Sequence, residues 1–362
     1  MKTHQAITSP QPAVQFSLIA VALTAACLSG CATPSSSLPA LGEKSLQRYT
    51  IDPAQVSVSG VSGGGAMASQ LHIAYSSVFK KGAGLFAAPP YYCAEGSLMA
   101  GLACSISATE DKKPNVAKLV EQTRSWSGNR IDPLSNLAST RVYIFSGSLD
   151  TRVKPMTVNE TFNFYTSLIP RENVFYKSDL AAAHSMVTST YGNACDGYAA
   201  PYLNNCNFDL AGETLRWIHG MLNARTGAIA ANFHQFDQNE FRPADMRDTD
   251  GIDSTGWVYV PSACKKGAVC KLHVALHGCQ QGQAQVAEKF YKYAGYNEWA
   301  ESNNMIVLYP QNVPSGKTGT PAFNPAGCWD WWGYTGAADY ATKAGVQPTA
   351  IVKMVNRLKG SI

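Results

Sequence analysis

Gln55-Val56-Ser57-Val58-Ser59-Gly60-Val61-Ser62-Gly63-Gly64-Gly65-Ala66-Met67 decides how the rest of the chain is read. Val56 and Val58 alternate with small polar residues, which suits a strand, and Ala66-Met67-Ala68-Ser69-Gln70-Leu71 suits a helix. Between them, Gly60-Val61-Ser62-Gly63-Gly64 is a G-x-S-x-G motif. Strand, sharp turn and helix in that order are the setting in which a serine is presented as a nucleophile. A residue on so tight a turn has a strained backbone, and neighbouring side chains would collide with the strand and helix. Glycines at 60, 63 and 64 remove that collision. The competing reading is a Gly/Ser loop joining any strand to any helix. Only the nucleophile reading requires a histidine and a carboxylate elsewhere, since a serine hydroxyl attacks poorly until a base takes its proton.

Downstream, Arg141-Val142-Tyr143-Ile144-Phe145 reads as a buried strand running into Ser146-Gly147-Ser148-Leu149-Asp150. Functional groups of open α/β sheets sit just past the carboxyl ends of strands, and Asp150 is in such a place. Helices are expected from Asn115 to Ser127 and from about Met156 to Ser167. A strand at Asn173-Val174-Phe175-Tyr176 leads to Leu180-Ala181-Ala182-Ala183-His184-Ser185-Met186, a small-residue loop with one histidine. Ser62, Asp150 and His184 thus occur in the order nucleophile, acid, base found in α/β-hydrolases. The other histidines fit other roles: His72 a helix face, His219 a helix end where capping is the usual explanation. His234 and His273 have no loop-after-strand setting.

Hydrophobic residues make up 45% of the 362 residues and charged residues 15%, which gives ample core, and a net charge of +4 is too small for nucleic-acid binding. Lys2 precedes the apolar run Phe16–Cys27, too short and too rich in small residues for a membrane span. The run ends in Leu28-Ser29-Gly30-Cys31, which resembles a bacterial lipoprotein signal with Cys31 as the lipidated residue; an ordinary secretory signal is the alternative. Either way an exported protein is expected, lipid-anchored to the cell envelope (outer membrane or cell surface) or secreted. The expected division is a signal over 1–31, a tether over 32–45 and a catalytic domain over 46–362. Setting aside Cys27 and Cys31 leaves eight cysteines, an even number suited to disulfides in an oxidising compartment. Proximity suggests Cys93–Cys104, Cys195–Cys206 and Cys264–Cys270, leaving Cys279 with Cys328. No C-x-x-C or His-rich spacing supports a metal, and no cofactor is expected.

The stretch from Thr226 to Asp253 turns polar, and a domain boundary could be drawn there. The strands after it argue otherwise. Gly256–Pro261 and Lys271–Cys279 look like the opening sheet of an α/β-hydrolase, in which an apolar strand ending in His-Gly leads to the oxyanion loop. Here Leu276-His277-Gly278-Cys279-Gln280-Gln281 has that form but follows the triad. A helix through Tyr293–Asn303, the strand Met305–Pro310, the aromatic segment Gly327–Tyr334 and a helix from Pro348 to Lys359 complete the chain. Joining Ile362 to about residue 46 would restore the usual order, and such permutation is physically tolerable where termini lie close together. The reading is therefore one α/β domain, a circularly permuted α/β-hydrolase with a mostly parallel central sheet flanked by helices.

The ordered set Gly60-Val61-Ser62-Gly63-Gly64, Gly147-Ser148-Leu149-Asp150, Ala183-His184-Ser185-Met186, Leu276-His277-Gly278-Cys279 and Cys328-Trp329-Asp330-Trp331-Trp332 resembles the polyhydroxybutyrate depolymerase family, in its circularly permuted group. The resemblance implies Ser62 as nucleophile, His184 as general base and acid, Asp150 as its orienter, and an oxyanion hole from the N–H groups of Gly63 and Cys279. A Cys279–Cys328 bridge would tie the tryptophan segment to that hole. Trp329, Trp331, Trp332 and Tyr309 are the candidate substrate-binding aromatics; in an extended segment Trp329 and Trp331 share a side, so the three tryptophans should not all face substrate. The expected partner is a polyester polymer or oligomer, acted on by a monomer that meets membrane only through its lipid. With no separate polymer-binding domain read in the sequence, adsorption is expected to use exposed apolar residues of the catalytic domain. A feruloyl or acetyl-xylan esterase is the alternative activity, and a non-catalytic surface lipoprotein a third reading.

Overall fold

A computed structural model describes residues 44–360; the leader with its proposed lipidation site Cys31, and most of the tether, lie outside the described residues. The first four strands are β1 (Ile51–Val61), β2 (Gly82–Phe86), β3 (Arg141–Phe145) and β4 (Val174–Lys177). Three short ones follow, β5 (Met186–Thr188), β6 (Asn193–Ala194) and β7 (Leu203–Asn205), and then β8 (Phe233–Asp237), β9 (Thr255–Tyr259), β10 (Cys270–Leu276) and β11 (Met305–Tyr309). The eight longer strands make one sheet in the order β4-β3-β2-β1-β10-β11-β9-β8, and β5-β7-β6 make a small second one. From β4 to β11 neighbouring strands are parallel; β9 and β8 join antiparallel at one edge. The two halves of the sequence therefore fill the two halves of one sheet and meet at its centre, where Gly60 of β1 pairs with Leu276 of β10.

Helices cover both faces of the parallel region, so its strands are apolar throughout rather than alternating. Every residue of β2 and β11 is buried, as is β1 from Val56 onward. The small polar residues that alternate with the valines of β1 are buried as well. Ser57 Oγ lies 2.8 Å from His273 Nδ1 and 3.0 Å from His219 Nε2, and Ser59 Oγ lies 2.7 Å from His273 Nε2 and 2.6 Å from the Tyr296 hydroxyl. His219 is thus bound to the central strand rather than serving as a simple helix cap.

The helices α1 (Gly63–Ala74), α2 (Leu98–Ala103), α3 (Val116–Trp126), α4 (Pro155–Thr166) and α5 (Leu210–His219) lie in the N-terminal half, and Val346–Leu358 closes the chain. The helix expected through Tyr293–Asn303 is two pieces, Lys289–Tyr293 and Asn297–Ser302, because Gly295 between them has a φ of 92°. The edge strand β8 escaped the sequence reading because Phe-His-Gln-Phe-Asp faces solvent along one side, as edge strands do. The three disulfides that proximity suggested, Cys93–Cys104, Cys195–Cys206 and Cys264–Cys270, are present, as is the remaining pair, Cys279–Cys328. The Tyr49 N–H donates to the Leu358 carbonyl at 2.8 Å, so the lead-in to β1 meets the end of the last helix.

Burial makes the core histidines poor bases. It lowers His72 and His273 from 6.5 to about 3 and His277 to about 4, and holds His219 well below the usual value. Below pH 6.5 the unfolded chain binds protons at these four sites that the native chain refuses, so native stability falls as pH falls. Urea unfolding should therefore show stability constant above about pH 7 and dropping between about pH 6.5 and 4. The slope should approach about 1.4 kcal/mol per pH unit for each histidine. A flat profile across that window would contradict the burial of these imidazoles.

Candidate active site

Ser62 follows the last residue of β1 and caps α1 with φ 58° and ψ −124°, a backbone few non-glycine residues adopt. The turn is fixed from both sides: the Ser62 N–H donates to the Phe86 carbonyl at 2.8 Å, and the Ser62 carbonyl accepts from the Ala66 N–H at 3.0 Å. Two glycines make this possible by close approach. A Cβ on Gly60 would lie 2.3 Å from the Gly64 carbonyl oxygen. One on Gly64 would lie 2.3 Å from that of His277 and 2.5 Å from that of Leu276. Gly63, expected to be equally constrained, has more room: its Cβ would meet the Cys279 sulfur at 3.1 Å.

Asp150 lies in the turn that leaves β3. Its side chain is 1% exposed, and its Oδ1 accepts the N–H groups of Arg152 at 2.8 Å and Val153 at 2.9 Å. Its Oδ2 is 2.7 Å from His184 Nδ1. The backbone bonds hold the carboxylate, the carboxylate holds the imidazole, and Nε2 is left as the ring nitrogen that can exchange a proton. His184 and Ser62 line the same cleft of about 360 Å³. Of the three side chains the sequence singled out, the structure joins Asp150 to His184 and places His184 in the cleft that Ser62 lines.

On the other side of Ser62, the loop after β10 is held open by side chains. Gln281 Oε1 accepts the Gly278 N–H at 2.8 Å, and its Nε2 donates to the Tyr202 carbonyl at 2.7 Å. The Gln280 N–H donates to the Ala326 carbonyl at 2.7 Å. The N–H groups of Gly63 and Cys279, both at the cleft, have no hydrogen-bond partner among the described residues. Gly63 opens a 12-residue helix, whose first N–H groups have no partner within the helix and carry partial positive charge.

The four candidate aromatics separate. Trp331 and Trp332 line the cleft. Trp329 does not: it is 1% exposed and donates from Nε1 to the His277 carbonyl at 3.0 Å, bracing the strand end from below. Tyr309 does not either, being fully buried with its hydroxyl donating to Asn297 Oδ1 at 2.8 Å. As expected, the three tryptophans do not all line the cleft, but Trp329 and Trp331 part company because the segment is not extended. It wraps around buried Asp330, whose carboxylate accepts from the N–H groups of Gly333, Tyr334 and Thr335 and from the Thr335 hydroxyl. Burial pushes Asp330 upward, and those bonds oppose the shift.

The sequence reading missed the far wall of the cleft. Leu98 and Leu102 come from inside the Cys93–Cys104 loop and Ile106 from just after it, and Tyr198 and Tyr202 from the Cys195–Cys206 loop. Neither segment has a periodicity to read; the closely spaced cysteines were the one signal that these loops are fixed.

The chain is 40% identical over 324 residues to the polyhydroxybutyrate depolymerase of Talaromyces funiculosus, a match covering 86% of this chain and 92% of that protein. It belongs to the polyhydroxybutyrate depolymerase family. This is a family of carboxylic ester hydrolases. A longer member, the poly(3-hydroxybutyrate) depolymerase of Delftia acidovorans, is 44% identical over 352 residues, which are 95% of this chain and 66% of that protein. Among solved structures, the crystal structure of the PHB depolymerase of Penicillium funiculosum superposes with a TM-score of 0.81 at 38% identity, covering 87% of this chain and 99% of that one. A serine-to-alanine PHB depolymerase complexed with an R3HB trimer matches with the same scores and coverage. No protein-family profile matches the chain.

The contact at Gly64 gives a direct test. Gly64→Ala places a methyl group against two backbone carbonyls that cannot rotate away, so unfolding should become easier by about 3 kcal/mol. Ester turnover should fall with it, because relief requires moving Ser62 or the Gly278–Cys279 loop. Wild-type stability in this variant, measured by urea titration, would show the approach to be loose.

Proposed function

We propose that this chain hydrolyses poly(3-hydroxybutyrate) or its oligomers through an acyl-enzyme on Ser62. The observation that carries the reading is the 2.7 Å bond between Asp150 Oδ2 and His184 Nδ1, facing the same cleft as a serine held at positive φ. Asp150 fixes the tautomer in which Nε2 can accept, and steadies the positive charge the ring acquires. His184 takes the Ser62 proton as Oγ attacks the ester carbonyl, then delivers it to the departing alkoxide. Water, activated by the same nitrogen, releases the acid. The unpaired N–H groups of Gly63 and Cys279 serve as the oxyanion hole; the Gly278 N–H is already committed to Gln281. Each such donor contributes about 3 kcal/mol to the transition state.

The cleft suits a methyl-branched aliphatic ester. Leu98, Leu102, Ile106, Trp331 and Trp332 give it apolar walls into which hydroxybutyrate methyl groups can bury. The strand order and the Tyr49–Leu358 bond support circular permutation as the origin of the chain order. The disulfides fit an exported protein, and Cys31 is proposed as its lipid attachment.

Ser62→Ala should abolish turnover of a short p-nitrophenyl ester and of polyhydroxybutyrate film while leaving the circular dichroism spectrum unchanged. Asp150→Asn should reduce kcat by about 10⁴. Residual activity near wild type in either variant overturns the triad. Release of ferulate from arabinoxylan, with no attack on film, would move the substrate to plant polysaccharide. Separately, Cys31→Ala should shift the protein from the detergent-extracted membrane fraction to the soluble one; an unchanged distribution removes the anchor.

A further inference from the structure

Among the described residues that line the cleft, Arg152 alone is Lys, Arg, Asp or Glu. It is exposed and forms no ion pair with a carboxylate side chain among the described residues. Its guanidinium lies 5.4 Å over the Tyr198 ring, and that ring's centre is 6.1 Å from the His184 imidazole. Its position is not left to a floppy loop. Its own N–H donates to Asp150 Oδ1, so it leaves the backbone at the carboxylate that orients the histidine. Tyr198 sits inside the Cys195–Cys206 loop, packed at 5.2 Å against Tyr202, whose hydroxyl donates to Gln280 at 3.0 Å. An exposed cation in no ion pair among the described residues, two ring separations from His184, is free to meet an anion that enters the cleft.

The chemistry says where that anion comes from. In a hydroxyalkanoate ester the acyl part becomes bonded to the serine, and the alcohol part departs past the histidine that protonates it. The departing part carries the chain's free carboxylate at its far end. A cation beyond His184 is therefore on the leaving-group side, where that carboxylate arrives. We propose that Arg152 is a specificity-determining residue that binds the terminal carboxylate of the departing piece, so that the cleft favours scission near the carboxyl end of a chain. The inference rests on the depolymerase reading above. In the step itself, the bond from Ser62 Oγ to the acyl carbon forms and the ester C–O bond breaks. The serine proton passes through His184 to the departing oxygen, and the hydroxy acid leaves as a carboxylate paired with the guanidinium. Guanidinium and carboxylate meet as a planar, two-pronged pair that an ammonium group cannot reproduce.

The test compares the hydroxybutyrate trimer as free acid with the same trimer as its methyl ester, at neutral pH and low salt. Because the pair is exposed, the wild-type enzyme should favour the free acid in kcat/KM by roughly three- to tenfold. Arg152→Gln should bring that ratio towards one, Arg152→Lys should keep part of it, and added salt should shrink it in the wild type. A merely structural role for Arg152 would change both substrates together and leave the ratio alone. Equal rates for acid and ester in the wild type, or a ratio unmoved in Arg152→Gln, overturns the proposal while leaving the depolymerase reading in place. Failure of the wild type to cleave either trimer would instead sink that reading, and this inference with it.

Discussion

The structure depends on one backbone contact, the start of α1 pressed against the carbonyls that end β10. It is possible only because residue 64 has no side chain, since a single carbon there would stand 2.3 Å from an oxygen. Everything at the cleft is measured from this contact. It sets the first free N–H of the helix beside the loop that carries the Cys279 N–H, and it leaves Ser62 no conformation but the strained one. The strain is held by the two hydrogen bonds of Ser62 and by the apolar packing of β1 between β2 and β10. Burial of this central sheet supplies the free energy that keeps a high-energy turn in place.

Around that fixed centre the cleft is made of segments with little regular structure of their own. They are held by cross-links and buried polar groups rather than by periodic packing. The Cys279–Cys328 bridge joins the loop after β10 to the tryptophan segment across 49 residues, a closure that in a chain-entropy account contributes about 4 kcal/mol. Asp330 then shapes the segment from inside, turning one tryptophan down onto His277 and two outward. Gln281 does similar work between Gly278 and the Tyr202 carbonyl. The recurring design is a polar side chain that satisfies backbone groups no helix or strand could satisfy.

The parts readable in the sequence were those with local rules. The turn at Ser62 and the strand ends carrying Asp150 and His277 follow from short patterns whose geometry is nearly forced. Cysteine proximity worked for the same reason, because chain connectivity limits where a nearby partner can be. Tyr309 and Trp329 were misplaced because a side chain's direction at a strand end or around a buried carboxylate depends on what packs against it, and neighbours far along the chain decide that. Arg152 and Tyr198 were invisible as a pair: 46 residues separate them, and no repeat or motif links them. The bonds from the serines of β1 to His273, His219 and Tyr296 were equally out of reach, because their partners lie more than 160 residues along the chain.

The seam between β1 and β10 has a consequence in time. Ser57 of the central strand is hydrogen-bonded to a histidine 216 residues further along the chain. As the chain is made from its N-terminus, the strand that ends at Ser62 emerges early, long before β10, one of its two neighbours in the sheet. A fold dominated by contacts of such long range assembles slowly and late. The half carrying Ser62, Asp150 and His184 must therefore wait, with an open strand edge, for the half that completes the sheet. A cleft whose walls come from both halves of the chain cannot close until the last third of the sequence has joined the sheet.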